Sequence, residues 1–239
     1  MKPADPAGPV AGILLAAGEG SRLGQPKALV EIGGEPLAQR GVAMLRDGGA
    51  APIVVVTGAV AVDLPGVLAV HNADWRSGMG SSLAAGLATV PDSCDAAVIA
   101  LVDQPLVGAE AVRRLIAAFA AGAGIAVAAY DGTPRNPVLI AREHWAGVIA
   151  LAVGDAGARP FLRAHPDLVT PVECGDTGRP DDLDTRSDFD RLAGLVPPRS
   201  AAGDSAAGDG TSGVRTDGPV SPRRALRSRP AAGSADPSR

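Results

Sequence analysis

Short apolar runs without charge punctuate this chain, and between them apolar residues recur at helical spacing. The runs are Val10–Ala17, Ile53–Gly58, Val67–His71, Ala96–Val102, Ile125–Tyr130 and Pro137–Ala141, and Val169–Cys174 is a last strand candidate that carries one charge, Glu173. Uncharged runs of this length, bounded by glycine or proline, read as strands buried on both faces, the habit of parallel sheets. Ala28–Ile32 reads as a short apolar bridge ending in a Gly33-Gly34 turn. Pro36 can open a helix that runs to Arg46 and stops at Gly48-Gly49. Ser81 or Ser82 can cap a helix reaching about Val90. Val112, Leu115, Ile116 and Phe119 form a one-sided stripe, and a further helix carries Trp145, Val148 and Ile149. Pro160 confines the next helix start to about Ala158 or Arg159. Thr185-Arg186-Ser187-Asp188 has the form of a capping box for a last helix ending near Leu195. Strands alternating with helices predict an α/β domain with a mostly parallel sheet, which binds ligands beyond the carboxyl ends of its strands.

Composition sets the limits of that domain. Residues 1–9 are a proline-rich leader, expected to be flexible, and the domain spans 10–196. Residues 197–239 are dominated by Ala, Gly, Ser, Pro, Asp and Arg, a mixture that cannot bury enough surface to offset its ordering entropy, so a disordered tail is expected. That tail nets +3 from seven arginines and four aspartates, which leaves about −7 on the rest of a chain whose net charge is −4. An acidic domain argues against a nucleic-acid backbone as partner. Aromatic residues are only 3%, so the core must be built from Ala, Val, Leu and Ile. Two cysteines, Cys94 and Cys174, are too few for a disulfide framework and fit a reducing, cytoplasmic setting. Leu115–Tyr130 runs 16 residues without charge, short of the ~20 a spanning helix needs, and Gly122 and Gly124 divide it. No membrane segment is expected.

The first strand empties into Gly18-Glu19-Gly20-Ser21-Arg22-Leu23-Gly24-Gln25-Pro26-Lys27. Glycines let successive N–H groups converge on one point, and Arg22 and Lys27 add two cations, so this loop is a candidate phosphate site. It is not a Walker A loop, because no Gly-Lys-Ser/Thr follows, and Pro26 breaks the dinucleotide fingerprint. An ordinary strand-to-helix turn with surface charges has the same composition. Asp103 ends the Ala96–Val102 run before Gln104-Pro105; there it can hold Mg²⁺ against phosphates or simply form the turn. Asp181-Asp182-Leu183-Asp184-Thr185 is a second acidic cluster, which can supply a metal carboxylate, cap the last helix, or do both. His71, His144 and His165 have no metal-ligand spacing.

Leu15-Ala16-Ala17-Gly18, Gly20-Ser21-Arg22-Leu23-Gly24 and Pro26-Lys27 together resemble the signature loop of nucleotidyltransferases with a Rossmann-like GT-A domain. Asn72-Ala73-Asp74-Trp75-Arg76-Ser77-Gly78-Met79-Gly80-Ser81-Ser82-Leu83 and Gly154-Asp155-Ala156-Gly157-Ala158-Arg159 resemble two segments of the molybdenum cofactor cytidylyltransferase branch. Gly132-Thr133-Pro134-Arg135-Asn136-Pro137-Val138 resembles a third, with Arg135 where that branch has glycine. The resemblance covers about residues 10–195. It implies nucleotide contacts from Leu15, Ala16, Ala17, Gly18, Gly20, Ser21, Arg22, Lys27, Asn72, Ser82 and Asp103, with Arg22, Lys27 and Asp103 catalytic. It implies Mg²⁺ on Asp103 and Asp184, Asp182 being the alternative, and acceptor contacts from Asn136, Gly154, Asp155, Gly157 and Arg159. Read from the residues alone, Trp75 is equally a packing residue, Ser82 a helix cap and Arg159 a surface cation.

The implied reaction moves CMP from CTP to the phosphate of a molybdopterin-type cofactor and releases pyrophosphate. A molybdenum oxidoreductase is then a possible partner. Related transferases act on a sugar phosphate or phospholactate, and a non-catalytic carrier of the cofactor is the remaining alternative. The polar composition beyond Val196 generates one prediction: truncation after Val196 leaves the melting temperature and kcat unchanged, and a large fall in either would show that the tail docks on the domain.

Overall fold

The computed structural model describes residues 8–196; residues 1–7 and the whole of the expected tail lie outside the described residues. Of the expected leader, Gly8 donates its N–H to Asp95 Oδ2 at 2.8 Å, and the Asp95 N–H donates to the Pro9 carbonyl at 3.0 Å. The chain then forms β1 (Val10–Ala16) and a small hairpin of β2 (Glu31–Ile32) and β3 (Glu35–Pro36). Next come α1 (Leu37–Asp47), β4 (Ile53–Thr57), β5 (Leu68–His71), α2 (Met79–Thr89), β6 (Ala96–Leu101) and α3 (Ala109–Ala120). The remainder is β7 (Ile125–Tyr130), β8 (Thr133–Ala141), α4 (Trp145–Leu151), α5 (Arg159–Ala164), β9 (Val169–Glu173) and α6 (Arg186–Ala193).

Seven strands make one sheet in the order β5-β4-β1-β6-β8-β7-β9. All seven residues of β1 are buried, because β1 lies between β4 and β6 with Gly12 opposite both Ile53 and Val98. Alternate residues divide between the two faces. Val10, Leu14 and Ala16 join the core beneath α1 and α3, where Leu45, Val112 and Leu115 are buried. Ala11, Ile13 and Leu15 join the core on the other face with Leu83, Leu87, Trp145 and Phe161. The expected α/β domain is therefore present, a Rossmann-like layer of helices on each side of a mostly parallel sheet. Among the described residues no helix is long and apolar enough to cross a membrane.

Three local expectations need correction. The run at Pro137–Ala141 is the end of a longer strand, β8, which is antiparallel to both β6 and β7. The Asp131-Gly132 connection is too short for a parallel crossover, so the strand had to fold straight back. Its polar first half, Thr133–Asn136, gave no apolar signal. The ladder shifts there: Val127 faces Val138 but Ala129 faces Pro134, so β8 carries the excess residues. Arg135 fits this bulge without a left-handed backbone; among the described residues Asp131, at φ 52°, is the one non-glycine with positive φ.

The second correction concerns Ser81 and Ser82, which lie inside α2 rather than at its cap. The helix starts at Met79 from Gly78, whose φ of 113° suits glycine. Its first turn is pressed against the chain near residue 152: a Cβ on Gly80 would stand 1.9 Å from the Ala152 carbonyl oxygen. Tertiary contact thus set a start three or four residues before the serine preference suggests. Third, Ile149 is exposed at 38%, so the α4 stripe is narrower than its apolar spacing implies. The capping box at α6 is formed as expected, with Asp188 N–H donating to Thr185 Oγ1 at 3.2 Å and Thr185 N–H to Asp188 Oδ2 at 2.9 Å.

Close packing of α2 on β1 and β4 depends on Gly86, where a Cβ would stand 2.8 Å from Ile13 Cγ2 and 3.0 Å from Val56 Cγ2. Overpacking of this kind costs ~1–3 kcal/mol. Gly86→Val is expected to lower the melting temperature by several degrees, ~2–4 °C per kcal/mol. The exposed control Ala88→Val should change it little. Equal melting of the two variants would contradict this packing.

Candidate active site

Beyond the carboxyl ends of β1 and β6 lies a cleft of about 910 Å³. Its first wall is the loop leaving β1. A Cβ on Gly20 would meet the Gln25 carbonyl oxygen at 2.0 Å, and Gly20 has φ +63°, so no other residue closes this turn without rearrangement. The turn is held by Leu23 and Gly24 N–H groups donating to the Gly20 carbonyl at 2.9 and 3.0 Å. Among the described residues, none of the N–H groups of residues 18–22 donates a hydrogen bond. Five consecutive open donors line the cleft, and exposed Arg22 makes no ion pair beside them.

The floor is ionic. Lys27 Nζ donates to Asp103 Oδ2 at 2.7 Å and to Asp184 Oδ1 at 2.5 Å. Asp103 arrives on the end of β6. Asp184 arrives from far along the chain because residues 180–184 lie against that same strand end. Leu183 N–H donates to the Asp103 carbonyl at 2.8 Å, and the Leu183 side chain is fully buried. Asp182 turns the other way and accepts from Gln104 Nε2 at 2.9 Å. The geometry therefore selects Asp184 over Asp182 as the carboxylate that faces Asp103. Burial pushes the Asp103 carboxyl above its ordinary range, and the Lys27 ammonium only partly opposes this. Burial pulls Lys27 down, but Asp103 and then Asp184 outweigh it and hold the ammonium above its ordinary value.

Two hard carboxylates already clasping one cation form a donor set that suits a divalent ion completed by phosphate oxygens. Among the described residues no group of three or more His, Cys, Asp or Glu side chains forms a fuller metal cage.

The opposite wall begins at α2. Ser82 is buried yet reaches the cleft, and Asn72 Nδ2 donates to its Oγ at 3.0 Å and to Ser81 Oγ at 2.8 Å. Those bonds leave the Ser82 hydroxyl proton for a ligand acceptor. Asn72 itself is buried and braces the loop, also accepting from the Asp74 N–H at 3.0 Å. Asp155 accepts from the Met79 N–H at 3.3 Å, so it caps α2 across the cleft, and Arg159 lines the cleft beside it.

Of the residues singled out in the sequence, the cleft gathers Leu15, Ala17, Gly18, Gly20, Ser21, Arg22, Lys27, Ser82, Asp103, Asp155, Arg159 and Asp184. It does not gather Ala16, Asn72, Asn136, Gly154 or Gly157. Ala16 points into the opposite core, since it alternates with Leu15 and Ala17. Asn136 sits half-buried in the β8 bulge. Gly154 supports the wall by backbone contact: a Cβ on Gly78 would stand 2.3 Å from the Gly154 carbonyl carbon. Gly157 is buried, and a Cβ there would touch Met79 Sδ at 3.0 Å. Sequence reasoning missed Glu19, Trp75, Arg76, Gly78, Met79, Leu101 and Val102 as cleft residues. Trp75 serves both roles, packing on Gly58 while lining the cleft, with Arg76 4.3 Å from its ring centroid. The signal available was position: Glu19 follows β1, Trp75 to Met79 follow β5, and Leu101 and Val102 stand at the end of β6, all at the same end of the sheet.

A Rossmann-like sheet with an open N–H cradle and a carboxylate pair at one strand end defines a nucleotide-phosphate-binding domain. The chain belongs to the family described as the MobA-like NTP transferase domain, whose model matches residues 12–169. It is 39% identical over 197 residues to "Nicotine blue oxidoreductase" of Paenarthrobacter nicotinovorans, covering 77% of this chain and 96% of that protein. It is 35% identical over 109 residues to "Molybdenum cofactor guanylyltransferase" of Xanthomonas euvesicatoria pv. vesicatoria, covering 46% of this chain and 54% of that protein. A crystal structure of the Mycobacterium tuberculosis Rv0371c homologue from Mycobacterium sp. strain JC1 superposes with a TM-score of 0.68 at 32% identity, over 78% of this chain and 96% of that one. A manganese complex of Rv0371C from Mycobacterium tuberculosis H37Rv superposes with a TM-score of 0.65 at 27% identity, over 79% and 100%.

The raised Asp103 carboxyl has a consequence for stability. A carboxyl whose folded pKa lies above its unfolded value costs nothing while protonated in both states. It costs stability as pH rises from the unfolded value, 3.8, through the folded one. Asp103→Asn is therefore expected to melt at or above the parent temperature at pH 7, with the difference shrinking as pH falls toward 4. Thermal denaturation across that range checks this; a melting point below the parent at pH 7 would contradict it.

Proposed function

We propose that this protein transfers a nucleotidyl group from CTP to the phosphate of a molybdopterin-type cofactor and releases pyrophosphate. One observation supports nucleotidyl transfer most: residues 18–22, whose N–H groups donate no hydrogen bond among the described residues, and the Asp103–Asp184 carboxylate pair line one cleft. The nucleophile is the acceptor phosphate, already anionic at neutral pH because its second pKa is ~6. It attacks the α-phosphorus, the new P–O bond forms, and the bond to the β-phosphate oxygen breaks. No side-chain base is required, and the protein's work is to position and neutralise. The N–H groups of residues 18–22 with Arg22 hold the departing phosphates. Arg159 and Arg76, which form no ion pairs among the described residues, face the acceptor end. Asp103 and Asp184 would hold a divalent ion, Mg²⁺ in our reading, and such an ion stabilises charge at the reacting phosphate. The manganese complex of the mycobacterial structure supports a divalent ion in this family. We place the activity in the cytoplasm, with a molybdenum oxidoreductase as the recipient of the product.

The choice of base rests on Ala17 and Ser82. Ala17 lines the cleft and is 7% exposed, so its methyl narrows the space beside the base, which disfavours a purine. Shape alone discriminates by ~1–3 kcal/mol, and the Ser82 hydroxyl proton, free for a ring acceptor, adds a polar contact. A second reading has one observation in its favour, the 39% identity to a protein named as an oxidoreductase. A nicotinamide dinucleotide would offer the same pyrophosphate to the same N–H groups.

Two measurements separate these readings. With a molybdopterin acceptor and equal CTP and GTP, at least tenfold more cytidylyl product is expected, and Ala17→Gly should narrow that ratio. A guanylyl excess would overturn the base assignment and leave the transferase standing. Asp103→Asn should abolish pyrophosphate release with the fold intact; turnover surviving within about tenfold, ~1.4 kcal/mol, would remove the metal role. Pyridine-nucleotide turnover without pyrophosphate release would favour the oxidoreductase.

A further inference from the structure

The ammonium of Lys27 stands where the two metal carboxylates meet. It is 2.7 Å from Asp103 Oδ2 and 2.5 Å from Asp184 Oδ1, so a divalent ion taking both oxygens would press directly on a like charge. The two cations compete for one place. Lys27 cannot simply be displaced into the partly buried floor, because an unpaired ammonium there would lose water without gaining a partner. It needs another anion within reach of its flexible four-carbon stem. A triphosphate lying on the open N–H groups of residues 18–22 would supply one; Glu19 and Asp155 also line the cleft, but among the described residues neither pairs with Lys27.

Resting on the transferase reading above, we propose that Lys27 is the resident cation of the metal site and that nucleotide binding exchanges it for the divalent ion. The incoming phosphates draw the ammonium off Asp103 and Asp184, and both carboxylates are released together. Metal alone then binds weakly, because it must displace Lys27 without compensation. Nucleotide and metal bind with positive coupling, and by linkage each raises the affinity of the other by the same factor. In the empty protein the same contact keeps two carboxylates from facing each other unscreened, and it fastens residues 180–184 to the phosphate loop. One lysine thus serves first as a stand-in for the metal and then as a phosphate ligand, so its position reports whether the cleft is loaded.

The test uses Mn²⁺ and the full chain, with bound ion followed by electron paramagnetic resonance and by thermal shift. Without nucleotide, Lys27→Gln is expected to bind Mn²⁺ at least tenfold more tightly than the parent. Lys27→Arg, which keeps a cation, should stay as weak as the parent. Adding Asp184→Asn to Lys27→Gln should remove the gain. If Lys27→Gln fails to fold, the parent alone still decides: Mn²⁺ and a CTP analogue with a methylene bridge between the α and β phosphorus atoms should together raise its melting temperature by more than the sum of their separate effects. Equal or weaker Mn²⁺ binding by folded Lys27→Gln, or strictly additive shifts in the parent, would overturn the exchange while leaving the metal site intact. No Mn²⁺ binding to either protein, even with the analogue present, would overturn the metal reading and the exchange with it.

Discussion

The contact among Lys27, Asp103 and Asp184 ties the glycine-rich loop to two segments that the Leu183–Asp103 backbone bond and the buried Leu183 side chain already bring together. Lys27 follows the phosphate loop, Asp103 ends β6, and Asp184 precedes the last helix. Opposite charges half-removed from water hold one another more strongly than surface pairs do, because solvent screens them less. Burial raises the Asp103 carboxyl even so, which means that the fold keeps a carboxylate where it is electrostatically costly. Carboxyls perturbed by burial beside a charged partner in a cleft cluster at functional sites.

The scaffold beneath that contact is built for close approach. Gly12, Gly41 and Gly86 let neighbours touch the backbone where a Cβ would collide with Ile53, Leu14 and Ile13. With few aromatic residues, volume is filled by many small aliphatic side chains on both faces of β1. The same economy shapes the cleft wall, where Gly78 and Gly80 bring α2 against residues 152–154. Asp155 can then cap α2 from the neighbouring loop, which ties the acceptor side of the cleft to the base side.

A family that includes proteins named as transferases and one named as an oxidoreductase shows how little of the chemistry the fold itself decides. What this cleft does decide is the kind of ligand. Open N–H groups, arginines without an ion pair among the described residues and a carboxylate pair suit a phosphate chain with a divalent ion, and Ala17, Ser82 and Arg159 line the same cleft.

Sequence alone determined the elements whose signal is local. The strands at Val10, Ile53, Ala96 and Ile125, the stop at Gly48-Gly49 and the capping box at Thr185 are all legible because apolar runs, glycine and side-chain caps act over a few residues. The phosphate loop was legible for the same reason, since its glycines and cations are contiguous. Tertiary structure decided the rest. The start of α2 depends on backbone contact with residue 152, so serine preference pointed three or four residues too late. Asn72 became a buried brace rather than a cleft residue because its amide donates to Ser81 and Ser82 in the first turn of α2. The direction of β8 follows from pairing, to which its polar half gives no clue. Asp182 and Asp184 are indistinguishable by composition; only the backbone bond from Leu183 to Asp103 turns one toward Gln104 and the other toward Lys27. Contacts between residues far apart in the chain leave no periodic trace, and the cleft is made of such contacts.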